Sequence, residues 1–189
     1  MRIISGQCKG MTLKANVDIR PTLDRVKVTL FNMIQFALEN AEVLDLFSGN
    51  GSLGIEALSR YANHCTFVEN SRQNFAILKE NLEKTKLLSK ATLFLEDVFK
   101  FEMKQKYHFI FMDPPFKYHS SEPRMISLLE KAVEHLHPGG ILVLEHPKTI
   151  DISVSIPKRV KVFHNTAITL AYQPETEALS EKTTLPQED

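Results

Sequence analysis

A mainly parallel, doubly wound α/β sheet is the fold that this sequence predicts, on two observations. From Val43 onward, short apolar β-rich runs alternate with stretches of helical spacing, the pattern of parallel strands joined by right-handed crossovers. Two unusual turns, Asp45-Leu-Phe-Ser-Gly-Asn-Gly-Ser-Leu-Gly54 and Asp113-Pro-Pro-Phe116, each directly follow one of those apolar runs. Turns of that kind belong at the carboxyl ends of strands, where open α/β sheets bind ligands.

Taken in order, Ile3 to Leu13 alternates loosely around Gly6 and Gly10, which predicts a small β-hairpin. Pro21 disfavours helix at Arg20, Thr22 can serve as N-cap, and Asp24 suits the positive end of the helix that follows. Val26, Leu30, Met33, Ile34, Ala37 and Leu38 then recur at helical spacing, predicting an amphipathic helix from Leu23 to Glu39. Strands are expected at 43–46, 64–69, 91–96, 109–113 and 141–145, with helices at 52–60, 71–84 and 125–136. His137-Pro-Gly-Gly140 closes the last of these helices. Two further strands, 160–163 and 167–172, should pair. The expected organisation is an N-terminal hairpin extension (1–20), one domain (21–173) and a disordered tail (174–189).

At 189 residues, 43% hydrophobic and 24% charged, the chain has the proportions of a soluble globular protein with one substantial core. No apolar run approaches the roughly 20 residues of a membrane span, and the first residues lack the features of a signal peptide. Cys8 and Cys65 make neither a disulfide framework nor a Cys-x-x-Cys site, and the seven histidines show no ligand spacing, so no metal is expected. A reduced cytoplasm follows. Net charge is zero, but the last sixteen residues hold five acids and one lysine, leaving 22 basic and 18 acidic residues in 1–173. That mild basic excess suits a phosphate-bearing partner and equally an ordinary surface.

Gly49-x-Gly51-x-x-Gly54 lies between a strand and a helix, where glycines permit a tight turn and close approach of a ligand to the backbone. Glu69 closes the next strand, where a carboxylate can accept from both hydroxyls of a ribose. NAD and S-adenosylmethionine both fit so far. Asp45 separates them, because a carboxylate there repels a pyrophosphate but suits the ammonium of methionine. Phe47, Ser48, Asn70 and Val98 complete the expected cofactor pocket. Asp97 either accepts from an adenine amino group or is a solvated strand-end acid or helix cap.

The prolines of the second turn remove two N–H donors and present carbonyls. Asp113 and the Pro114 carbonyl can each accept one hydrogen of an exocyclic amine, aiming the nitrogen lone pair at an activated methyl group. Pro115 stiffens the turn, and Phe116 offers a face on which a base can stack. The ordinary alternative is a strand-ending proline turn with Phe116 in the core. Lys117, Tyr118 and His119 either line the base entrance or are plain loop residues. Arg20, Thr22 and Arg25 flank a helix start and either meet substrate phosphate or simply cap that helix.

With these residues in view, the chain resembles a specific family. Arg2-Ile-Ile-Ser-Gly6, Arg20-Pro-Thr-Leu-Asp-Arg-Val26, Leu30-Phe-Asn32, the stretch Leu44 to Arg60 and Asp113-Pro-Pro-Phe116 occur in the order seen in bacterial small-subunit ribosomal RNA guanine-N2 methyltransferases of the position-966 type. The resemblance covers residues 1–172. It implies a Rossmann-like S-adenosylmethionine-dependent methyltransferase fold with an N-terminal hairpin extension. It also implies 16S ribosomal RNA as substrate, within a 30S subunit or an assembly intermediate, and a monomer. By matched position, Asp113 to Phe116 form the amine site, Asp45 to Gly51 and Glu69 hold the cofactor, and Arg20 to Arg25 close over the active site or RNA. An adenine-N6 methyltransferase and a non-catalytic RNA-binding assembly factor are the competing readings.

Overall fold

The computed structural model describes residues 1–15, 23–115, 118 and 123–175. Seven strands form one sheet: β1 (Glu42–Leu46), β2 (His64–Glu69), β3 (Ala91–Leu95), β4 (Tyr107–Met112), β5 (Leu136–Pro147), β6 (Lys158–Val162) and β7 (Thr166–Tyr172). Their order is β3-β2-β1-β4-β5-β7-β6. The pairings among β1 to β5 are parallel, and β7 runs antiparallel to both β5 and β6. Strand order reverses between β1 and β4. Such a switch point opens a crevice beyond the strand ends, and both motif turns sit at it.

Helices cover both faces, so the central strands are buried along nearly their whole length, as parallel sheets require. On one face, Val43, Phe67, Phe111 and Val143 meet residues from α1 (Leu23–Ile34), α2 (Ser52–Ser59) and α3 (Arg72–Thr85). On the other, Leu44, Leu46, Ile110 and Met112 meet α4 (Pro123–Glu134). Met125, Leu128, Leu129, Ala132 and Val133 of α4 are buried, a stripe at i, i+3, i+4, i+7 and i+8. Burial of each large apolar side chain there contributes roughly 1.5–3 kcal/mol.

Several boundaries differ from the sequence expectation, each for a physical reason. The first helix ends at Ile34 and continues as a single 3-10 turn, Gln35–Ala37. Gln35, Phe36 and Ala37 are all exposed there, Phe36 at 93%, and the tighter turn returns Leu38 to the core. His137-Pro-Gly-Gly140 does not close α4. It lies within β5, where the register against β4 jumps between Tyr107 and Phe109. Gly139 has φ 74°, and a side chain at Gly140 would sit 2.8 Å from the His137 carbonyl, so glycine is what lets the strand bulge and resume. On α3, Ile77 and Asn81 are buried with Leu78 and Leu82, whereas Phe75 is only half-buried.

The N-terminal residues make a single antiparallel bridge, Arg2 to Thr12, around a tight turn. They lie against the sheet domain: Ile3, Cys8 and Leu13 are buried in its core. Glu56 of α2 accepts from the backbone N–H groups of Ile4 (2.8 Å) and Ser5 (3.0 Å). The same carboxylate pairs with Lys27 Nζ (3.2 Å) and Arg60 Nε (2.8 Å), all three side chains being buried. One acid thus ties the N-terminal turn, α1 and α2 together. The expected disordered tail lies outside the described residues from 176 onward.

Candidate active site

Beyond the ends of β1, β2, β4 and β5 lies a cavity of about 760 Å³, within the size range of small-molecule and cofactor sites. Asp45, Phe47, Ser48, Gly49, Glu69, Asn70, Val98, Asp113, Pro114 and Pro115 all line it. The two turns, about sixty residues apart in the chain, therefore face one space because β1 and β4 are neighbours.

The glycine turn is built by backbone strain and two acids. Phe47 (φ 62°), Gly49 (φ 56°) and Gly51 (φ 83°) occupy the left-handed region, which costs a non-glycine residue such as Phe47 on the order of 1–3 kcal/mol. Ser48 repays part of this, its hydroxyl donating to the Asp45 (2.6 Å) and Val68 (3.0 Å) carbonyls. A Cβ on Gly51 would lie 2.4 Å from Leu78, and one on Gly54 would lie 2.3 Å from the Phe67 ring. Gly51 thus permits the turn, while Gly54 lets α2 approach the sheet.

Glu69 spans the turn from below. Its two carboxylate oxygens accept from the Gly49 (2.8 Å) and Ser71 (2.7 Å) N–H groups. Each oxygen keeps a second lone pair, so the expected ribose role remains open to it while it holds the turn. Asp45 is likewise shared. One of its oxygens accepts from Gly54 N (2.9 Å), capping α2, whose N-cap Gly51 has no side chain to do so. Burial raises its pKa to about 7, partly offset by the Gly54 N–H and reinforced by nearby Glu69.

Asp97 does not line the cavity. Its Oδ1 accepts from the Phe99 N–H (3.1 Å), so it caps its own turn, and Glu96 and Val98 face the space instead. Gly51 stands behind the cavity lining, against Leu78. Phe116, Lys117 and His119 lie outside the described residues, as do Arg20, Thr22 and the side chain of Arg25. Tyr118 does reach the cavity wall. Its ring meets Phe47 (6.1 Å between centroids) and Phe99 (5.2 Å), and the Arg124 guanidinium lies 4.8 Å over Phe99.

Asp113 is half-buried at the end of β4. Burial lifts its pKa well above the usual carboxylate range, with Glu145 and then Asp45 adding to the shift. Glu145 is a functional candidate the sequence reading missed. It stands near the carboxyl end of β5, as Asp45 does on β1 and Glu69 on β2, and an acid following an apolar run was the available signal. Lys27, His164, Asn165 and Thr166 also reach the cavity without local sequence signals.

The wall is rich in acids: among the described residues Asp45, Glu69, Glu96, Asp113 and Glu145 line it, against Lys27, itself held by Glu56, and the Met1 terminus. A pyrophosphate is unwelcome in such a space, whereas a cationic sulfonium and ammonium offset the wall's charge. Among the described residues no group of three or more His, Cys, Asp or Glu is arranged to hold a metal ion.

Strand order, glycine turn and acidic crevice define a Rossmann-like fold of the S-adenosylmethionine-dependent methyltransferase class. More particularly, residues 1–170 match the family described as Conserved hypothetical protein 95, and the chain belongs to that family. Among its relatives, Ribosomal RNA small subunit methyltransferase D of Haemophilus influenzae is 37% identical over 156 residues, 78% of this chain and 79% of that protein. YlbH of Bacillus subtilis is 36% identical over 165 residues, 82% of this chain and 88% of YlbH. The solved structure of Escherichia coli yhhF superposes with a TM-score of 0.80 at 32% identity, covering 92% of this chain and 98% of that one.

Proposed function

We propose that this protein methylates ribosomal RNA, transferring a methyl group from S-adenosylmethionine to the exocyclic N2 of a guanine of the position-966 type in small-subunit 16S RNA. The observation that carries this reading is the convergence of the glycine turn and the Asp113-Pro114 turn on one acidic cavity. The printed names of relatives such as the Haemophilus protein support ribosomal RNA as the substrate class.

When bound, S-adenosylmethionine supplies a methyl carbon on a cationic sulfonium that departs as a neutral thioether. Glu69 positions the glycine turn beneath the nucleoside, and Asp45 sets an anionic surface for the ammonium. Asp113 and the Pro114 carbonyl would accept the two amine hydrogens and so orient the nitrogen lone pair toward the cofactor side of the cavity. Asp113 would take the proton that the amine gives up on methylation. Tyr118 stands where a splayed-out base can stack beside Phe47 and Phe99. The protein acts as a monomer in the cytoplasm, on a 30S subunit or an assembly intermediate.

The test is transfer of labelled methyl groups to 30S subunits, naked 16S RNA and duplex DNA, followed by nuclease digestion and mass spectrometry. N2-methylguanosine from ribosomal substrates is expected. Label recovered only from DNA, as methyladenine, overturns the reading.

A further inference from the structure

Of the acids that line the cavity, Glu96 and Glu145 serve neither amine capture nor the cofactor reading, and Glu145 is the one beside Asp113. Glu145 follows Leu144, which pairs with Met112, so it stands one step further along the β4–β5 register, beside Asp113. Side chains alternate along strands. Glu145 therefore shares a face with Val143, and Asp113 with Phe111, which pairs with both Val143 and Asp45. The Thr166 hydroxyl on β7 lies 3.2 Å from Glu145 Oε1 and shares its one hydrogen between that oxygen and the His146 carbonyl, 3.0 Å away. Among the described residues no protein group donates to Oε2. A half-buried acid is thus held by one oxygen, in a wall that already contains the amine acceptor.

We propose that Glu145 accepts a hydrogen bond from the ring N1–H of the target base, and so makes the site select guanine over bases whose N1 carries no hydrogen. This rests on the function proposed above. Guanine presents adjacent donors on its Watson–Crick edge, the N2 amine and N1–H. Adenine presents an amine beside the bare lone pair of N1. Asp113 and Glu145 on neighbouring strands form two adjacent acceptors, the complement of the guanine edge, with charge-assisted bonds to both donors. The same pair places a carboxylate against the adenine lone pair. That arrangement rejects by repulsion as well as by a lost bond. Burial raises the proton affinity of both acids, and Glu145 adds to the shift at Asp113. Beside a cationic sulfonium both are favoured in the ionised, accepting form. Thr166 supports this state, since its donated hydrogen bond opposes the upward shift at Glu145.

The deciding probe is a ribosomal RNA substrate in which the target guanine is replaced by 2-aminopurine, which keeps the exocyclic amine and lacks N1–H. The wild-type protein should methylate the guanine substrate with a kcat/KM at least tenfold above that for 2-aminopurine. Glu145→Gln, whose amide can donate to a bare N1, should lose about 10–100-fold on guanine. It should also narrow the ratio between the two substrates at least fivefold, while the Kd for S-adenosylmethionine stays within about threefold. Glu145→Ala should lower guanine activity without gaining on 2-aminopurine. If both variants depress the two substrates equally, or leave the ratio unchanged, Glu145 does not read N1–H although guanine methylation stands. If the wild-type protein methylates no guanine at all, the functional reading falls and this proposal with it.

Discussion

At the scale of single residues, the two acids at the strand ends divide their work between holding structure and meeting ligands. Among the described residues no hydrogen bond to Asp113 shapes its turn, so Asp113→Ala should remove most methyl transfer while sparing the cofactor. A fall in kcat of about 10²–10⁴-fold is expected, the range for a lost proton acceptor. Calorimetry should show the S-adenosylmethionine Kd unchanged within a few-fold, and a parallel loss of both would assign the residue to the fold instead. Glu69 differs, because its carboxylate also holds the Gly49 and Ser71 N–H groups. Glu69→Ala should therefore weaken cofactor binding at least tenfold, combining the lost ribose acceptor with a loosened turn. An unaltered dissociation constant would end its assignment to the cofactor site.

Between elements, the decisive joint is the buried cluster around Glu56. Its carboxylate accepts from two backbone N–H groups of the N-terminal turn and pairs with Lys27 of α1 and Arg60 beyond α2. Removing one partner of a buried ion pair leaves the others uncompensated, at a cost of about 3–5 kcal/mol. Glu56→Ala should lower unfolding stability by that amount in urea titrations, whereas a loss below about 1 kcal/mol would show that the N-terminal turn docks independently of this acid. The joint bears on function through Lys27, which α1 brings to the cavity wall. Gly6 belongs to the same joint. Its φ is 82°, and a side chain there would lie 1.8 Å from the Ser59 carbonyl.

For the molecule as a whole, the acidic crevice ties stability to pH. The Asp45 pKa is about 7 when folded against an ordinary 3.8. Between those values the folded protein keeps a proton that the unfolded chain has released, so stability declines as pH rises through this window. The penalty is complete above about pH 7 and amounts to roughly 4 kcal/mol. Asp45→Asn preserves an oxygen for the Gly54 N–H but cannot ionise. Relative to wild type, this variant should gain stability by a few kcal/mol between pH 5 and pH 8 in urea melts. An equal difference at both pH values would contradict the raised pKa.

How far the sequence foretold these arrangements varies with the range of the interaction. Strand β2 was read to the residue, because its apolar run has clear limits, and the Asp45–Gly54 turn was legible because glycine positions and a following helix are local facts. The bulge at His137–Gly140 was read as a helix end, since Pro-Gly-Gly signals a break but not which element resumes after it. For Asp97 the sequence leaves an adenine acceptor and a strand-end cap both open, and the fold shows its Oδ1 capping its own turn. Glu145 was passed over because its meaning depends on Asp113, thirty-two residues earlier, becoming its neighbour.

By itself the sequence determined the alternation of strands and helices and the chemical character of each turn, because periodicity and local backbone preference act within a few residues. Only the tertiary structure decided that β1 lies beside β4, that five acids share one cavity and that Glu56 anchors three segments. Those outcomes depend on strand order and burial, which bring together residues whose separation along the chain carries no record of their contact.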